Sequence, residues 1–254
     1  AQNVLHRTAE SHMSIIHRLS LAAFILSASI MLPATADAGW QDDIDAGIQG
    51  LGFFGGNFLT EPTDKTVEQN GTRYAGVIYP GFAGTGKGGG FALDFRYQKI
   101  IGLEIGFIFS EESAKGEIND LNLTLSHSVT HVPIMLKVAA DTEIIRPFAM
   151  VGWQFSFVSD AAADFEGGGT LFGAKNDDYS LFAFGFGLDI ALPLDGIDLR
   201  VPLTIRMGWN TSTTDKVSDR ADYDIQGNTI NKVTFSTAFE YHAGGTLGLA
   251  WYFL

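Results

Sequence analysis

IGLEIGFIF, residues 101 to 109, places Ile101, Leu103, Ile105, Phe107 and Phe109 on one parity and Gly102, Glu104, Gly106 and Ile108 on the other. Successive side chains of a β-strand point to opposite faces, so one face here is large and apolar and the other small or charged. Three further segments repeat the pattern. Residues 145 to 157 set Ile145, Ala149, Val151, Trp153, Phe155 and Phe157 against Arg146, Met150, Gly152, Gln154 and Ser156. Residues 182 to 192 set Phe182, Phe184, Phe186, Leu188, Ile190 and Leu192 against Ala183, Gly185, Gly187 and Asp189, and residues 199 to 209 behave likewise, with Arg200, Thr204 and Arg206 on the polar side.

A soluble sandwich wets its polar face and hides an apolar face built from mixed side-chain sizes. Here the apolar face is uniformly large, whereas the opposite face is Gly, Ala, Ser and Thr with scattered charges, a mixture suited to a narrow lumen. The expected fold is all-β: a transmembrane antiparallel up-and-down β-barrel. After residue 38 no apolar run approaches the roughly 20 residues of a membrane helix. Tight connections at Lys99 to Ile100, Ala140 to Glu143 and Pro193 to Ile197 alternate with long ones near 60 to 88, 112 to 119, 159 to 178 and 213 to 229. Outer-membrane barrels alternate short periplasmic turns with long external loops in this way. Eight strands follow, near 45 to 58, 89 to 98, 101 to 111, 121 to 138, 144 to 158, 179 to 192, 198 to 212, and a last one ending at Leu254. In that last segment Val233, Phe235, Phe239, Tyr241, Leu247, Leu249, Trp251 and Phe253 share one parity, which reads as one long strand. The alternative is ten strands, with HAGG at 242 to 245 as a turn and Tyr74 to Tyr79 as an added strand.

From Met13 the chain reads MSIIHRLSLAAFILSASIMLPATADAGW, with His17 and Arg18 before an apolar core and the small triplet Ala36, Asp37, Ala38 after it. That is the pattern of a cleaved secretory signal peptide. The expected organisation is an upstream extension at 1 to 12, a signal peptide at 13 to 38, and one barrel domain at 39 to 254. The composition agrees with an exported β-protein, since 30 Gly, 20 Phe and no Cys favour strands and turns without reliance on disulfides. A net charge of −13 argues against nucleic acid, which needs a basic face. The acids gather in stretches that read as loops, among them Glu61, Asp64 and Glu68; Glu111, Glu112 and Glu117; Asp160, Asp164, Glu166, Asp177 and Asp178; and Asp215, Asp219, Asp222 and Asp224.

The chain end GTLGLAWYFL, with Leu247, Leu249, Trp251, Phe253 and Leu254, resembles the C-terminal strand that the barrel assembly machinery reads in outer-membrane β-barrels. In that family the closing aromatic is commonly the last residue, whereas here Leu254 follows Phe253. The run HVPIMLKVAADTEIIRPFAMVGW, residues 131 to 153, resembles the strand, turn and strand of the small outer-membrane β-barrel domain family, including its PorT-like and OmpX-like members, with Pro133, Lys137, Pro147 and Gly152 in place. The resemblance implies a fold and a location in the bacterial outer membrane. It leaves function open, because one fold hosts adhesins, small pores and assembly factors.

Three groups of residues invite a chemical reading. GFAGTGKG, residues 81 to 88, nearly matches a phosphate-binding loop, but Gly88 stands where a hydroxyl is needed and a strand pattern, not a helix, follows. It reads as an external loop. His127 and His131 share a strand face, but Ser128 points away and no acid in the same stretch shares that face, so neither a catalytic triad nor a metal site is assigned. Asp94, Arg96, Glu104, Lys137, Arg146, Asp189, Arg200 and Arg206 fall on the lumen face as a network of both signs. An eight-stranded lumen is only wide enough to be filled by side chains, so these charges are expected to pair and block conduction, Arg96 with Glu104 and Asp189 with Arg200.

The functional expectation is a non-enzymatic barrel without cofactor, serving envelope structure or surface interaction through acidic external loops. A narrow porin-like channel is the alternative, and a lipid-modifying enzyme the more distant one. Expected partners are outer-membrane lipid and lipopolysaccharide, the barrel assembly machinery, and a surface ligand that the sequence does not identify.

Overall fold

A computed structural model describes residues 44 to 253 apart from 58 to 62, 70 to 71, 119 to 120, 141, 167 to 171, 213 to 216 and 224 to 228. The segment assigned to the upstream extension and signal peptide lies outside the described residues, as does Leu254. The strands are β1 (Ile44–Asn57), β2 (Thr63–Gln69), β3 (Thr72–Tyr79), β4 (Ala83–Tyr97), β5 (Ile101–Ile118), β6 (Leu121–Ala139), β7 (Ile145–Phe165), β8 (Phe172–Lys175), β9 (Tyr179–Leu192), β10 (Asp198–Asn210), β11 (Val217–Tyr223), β12 (Thr229–Ser236) and β13 (Tyr241–Tyr252).

Eight of these form a closed antiparallel barrel in the order β1-β13-β10-β9-β7-β6-β5-β4. Closure comes from β1, which pairs with β4 on one side and with β13 on the other, leaving no free edge within the barrel. The apolar parity of every barrel strand points outward. Phe109, Trp153, Phe186, Trp209, Leu249 and Trp251 are all more than 40% exposed, which in water would be an untenable apolar surface and in hydrocarbon is the expected one. The other parity fills the lumen.

The first tight connection shows how register is set. Gln98 and Lys99 take φ of 50° and 59°, and the Ile100 N–H donates to the Tyr97 carbonyl at 3.1 Å. Positive φ at both central residues defines a type I′ turn, whose twist matches that of the flanking strands. The strand ladder itself begins with Tyr97 opposite Ile101 and runs on to Ala83 opposite Lys115.

The structure corrects the sequence reading at the outer end of the barrel. The stretches 83 to 88, 112 to 118 and 159 to 165, read as loops, are continuations of β4, β5 and β7. Their alternation persists above the apolar belt with Ser, Thr and Glu in place of Ile and Phe, so hydrophobicity ends before the strands do. The near phosphate-binding loop is thus mostly strand, with Gly81 at φ 72° as its turn. Segment 230 to 254 is two strands and not one. Phe235 lies at the end of β12, one residue before its last, Ser236; β12 pairs with β11 and with β8 in a separate three-stranded sheet, and the chain leaves strand geometry before β13. Phe235 and Phe239 are therefore buried, whereas Tyr241 and Leu247, on the same sequence parity, face outward. The ten-strand alternative falls as well, because β3 pairs with β2 outside the barrel.

Above the lumen, Phe235 and Phe239 pack with Phe82, Ala114, Leu123 and Leu125 in an apolar cluster in which every member is at most 1% exposed. Leu123 and Leu125 share the inward parity of β6 with His127 and His131, so this cluster caps the outer mouth.

Candidate functional site

Two polar clusters occupy the lumen beneath that cap. The lower one lies toward the tight turns and contains all eight charges placed there from sequence. Asp94, Arg96, Glu104, Lys137, Arg146, Asp189, Arg200 and Arg206 are each no more than 6% exposed. The hub is Asp94. Its Oδ2 accepts from Arg96 Nη2 at 2.6 Å, Tyr252 OH at 2.7 Å, Lys137 Nζ at 3.0 Å and Gln49 Nε2 at 3.1 Å. Asp189 Oδ2 accepts from Arg96 Nη2 at 2.5 Å and lies 3.5 Å from Lys137 Nζ. Glu104 binds Arg206 and lies 3.7 Å from Lys137 Nζ.

The pairing differs from the expected one, and the turns explain why. The type I′ turn sets Arg96 opposite Gly102 and Asp94 opposite Glu104, so two acids face each other across the ladder. Like charges in that position repel, and Lys137 from β6 and Arg206 from β10 reach in to compensate. Arg96 accordingly meets Asp94 and Asp189, not Glu104. The connection at 193 to 197 sets Asp189 opposite Pro202 and Arg200 opposite Ala191, and Arg200 pairs with Asp198 at 2.8 Å. Arg146 stands opposite Asp189 on the other side.

The upper cluster was not assembled from sequence. Glu112 is 2% exposed and inward-facing, with His131 Nε2 at 2.9 Å and His242 Nε2 at 3.5 Å from its Oε1, and His127 Nε2 at 3.3 Å from its Oε2. Ser110 Oγ donates to the same Oε1 at 3.1 Å. On its far side His131 meets Ser156 Oγ at 2.9 Å and Gln154 Nε2 at 3.1 Å through Nδ1. Phe53 stacks on His242 and meets His131 edge-on, fixing both rings. The acid that orients the histidines comes from the neighbouring strand and not from their own. Carrying the even parity of Glu104 four steps along β5 reaches Glu112, and that count would have found it; assigning residue 112 to a loop broke it off.

Ser156, His131 and Glu112 stand in the order of a hydrolytic triad, yet the setting does not fit one. Ser156 is 1% exposed under the apolar cap, and it lies in an interior strand paired with His131 on one side and Tyr179 on the other. The backbone N–H groups that would serve an oxyanion are committed to those ladders.

The profile of the outer membrane protein beta-barrel domain matches residues 20–242. The chain belongs to that family. Its membership, the closed eight-stranded barrel and the outward apolar belt place it in the bacterial outer membrane. Among solved structures it is similar to the outer membrane protein OprG from Pseudomonas aeruginosa, at 12% identity, covering 83% of this chain and 97% of that one, with a TM-score of 0.47. It is also similar to Ail, the attachment invasion locus protein of Yersinia pestis, at 10% identity, covering 82% and 99%, with a TM-score of 0.32. No curated protein matches it in sequence.

Proposed function

We propose that this barrel is closed to solutes and non-enzymatic, and that it serves envelope structure and surface interaction through the acidic segments above the membrane. The observation that carries this is the double obstruction of the lumen. Below, Arg96, Lys137 and Arg206 interlock with Asp94, Asp189 and Glu104; above, Phe235 and Phe239 close the mouth. Both are consistent with an eight-stranded interior, which side chains fill. Exposed Glu111, Glu117, Asp160, Asp164, Glu166 and Asp178 lie beyond the apolar belt, where a surface partner would meet them. Lipid and lipopolysaccharide surround the belt, the barrel assembly machinery reads the terminal strand through Leu247, Leu249, Trp251, Phe253 and Leu254, and residues 13 to 38 direct export and are removed. Proteoliposomes carrying the refolded protein should swell in small sugars or amino acids no faster than empty vesicles. Swelling above that baseline would overturn the closed barrel in favour of a narrow channel.

A further inference from the structure

Glu112, His131 and His242 each offer one ligand atom, and the three atoms lie within 4.8 Å of one another. We propose that they form a binding site for a divalent first-row transition cation of the zinc type, set inside the barrel beneath its apolar cap. Three features of the cluster carry the inference.

The first is spacing. Ligands at about 2.0–2.1 Å from a tetrahedral zinc stand roughly 3.4 Å apart. The Glu112 Oε1 to His131 Nε2 and His242 Nε2 separations, 2.9 and 3.5 Å, bracket that value. The remaining separation closes by small side-chain rotation, since the two rings already lie 5.0 Å apart between centroids.

The second is orientation. Metal-binding imidazoles hold their second nitrogen in a hydrogen bond that fixes tautomer and ring direction. In the tautomer that leaves Nε2 free for a cation, His131 Nδ1–H donates to Ser156 Oγ, with Nε2 aimed at the cluster. Phe53 holds the His242 ring by stacking. His127, near the second carboxylate oxygen, stands where a fourth ligand or a partner to Glu112 would be.

The third is donor chemistry. Two imidazoles with one carboxylate suit zinc and its neighbours and disfavour calcium or magnesium, which demand several oxygens. The ligands come from β5, β6 and β13, so a bound cation would tie the adjacent pair β5 and β6 to β13, which neighbours neither of them in the barrel.

The test uses the full chain, unfolded and stripped with chelator, then refolded in detergent with graded Zn2+ or Co2+ so that the cation is present before the lumen closes, with uptake read as retained metal after desalting and as Co2+ visible absorption. The wild type should take up a cation whose Co2+ spectrum shows imidazole nitrogen ligation in a low-coordinate site. Glu112→Gln and His242→Gln should each weaken it by at least about 100-fold, and Ser156→Ala by about 10-fold, the range of a lost outer-shell bond. Folding of each variant is checked by heat-modifiable migration in gels, and the wild-type Co2+ spectrum stands as evidence should a variant not fold. Absence of that spectrum in the wild type would overturn the proposal, as would binding that folded Glu112→Gln and His242→Gln leave unchanged, since the cation would then sit on surface acids or other histidines. Neither result bears on conduction, so the closed-barrel reading stands or falls separately.

Discussion

Lys137→Met strikes the lower cluster where the structure makes the largest demand on one side chain. Lys137 Nζ lies 3.0 Å from Asp94, 3.5 Å from Asp189 and 3.7 Å from Glu104, is 1% exposed, and sits 3.9 Å over the Phe148 ring. Each contact carries roughly 4–6 kcal/mol of gross attraction at an effective dielectric of about 20. Desolvation offsets most of that, so the net cost of truncation follows from the charge left behind. The interlocked core holds three cations, Arg96, Lys137 and Arg206, and three anions, Asp94, Asp189 and Glu104. Methionine preserves the stem that packs on Phe148 and leaves one buried carboxylate uncompensated, which should cost about 3–5 kcal/mol. Asp94→Asn should cost a similar amount by leaving a cation in excess. The double variant restores the balance and should lie about 1–3 kcal/mol above the sum of the singles. The assay is urea unfolding in lipid vesicles followed by tryptophan fluorescence. Additive single effects of about 0–1 kcal/mol would mean that water screens the cluster, and would refute the reasoning.

Other consequences are local. Gln98 and Lys99 both occupy the left-handed region, so Gln98→Asn with Lys99→Gly should raise stability in the same assay by about 1–2 kcal/mol. Deleting Trp251 to Leu254 should abolish assembly, since Trp251 pairs with Ile48 and Leu199 across the closing seam and Tyr252 bonds Asp94; folded protein at normal levels in the outer membrane would contradict this. N-terminal sequencing of protein recovered from the outer membrane should begin at Gly39.

Much of the barrel was legible because strand periodicity alone assigns each residue to lipid or lumen. Asp94, Glu104, Lys137 and Asp189 could be placed inside from parity, although their partners could not, since pairing depends on register. An offset of two residues at the Gln98–Lys99 turn decides whether Arg96 faces Glu104 or Gly102. The outer end was harder to read because the apolar signal stops at the membrane boundary while β5 and β7 continue past it. Glu112 was lost to a loop for that reason, and the histidine cluster with it. Phe235 and Phe239 show the opposite failure: their parity matched the outward face of β13, but the chain breaks between them and folds into the mouth, so matching parity across 237 to 240 was coincidence.

The sealed lumen is tested most directly by electrical recording of the purified, refolded wild-type protein in planar lipid bilayers. Ions are smaller than any nutrient and detect passages that swelling assays miss. With the ion-paired layer around Asp94 and the Phe235 and Phe239 cap both in place, insertion should leave the membrane current flat across the applied voltages. Discrete, steady, ohmic conductance steps that scale with the amount of inserted protein would contradict the account.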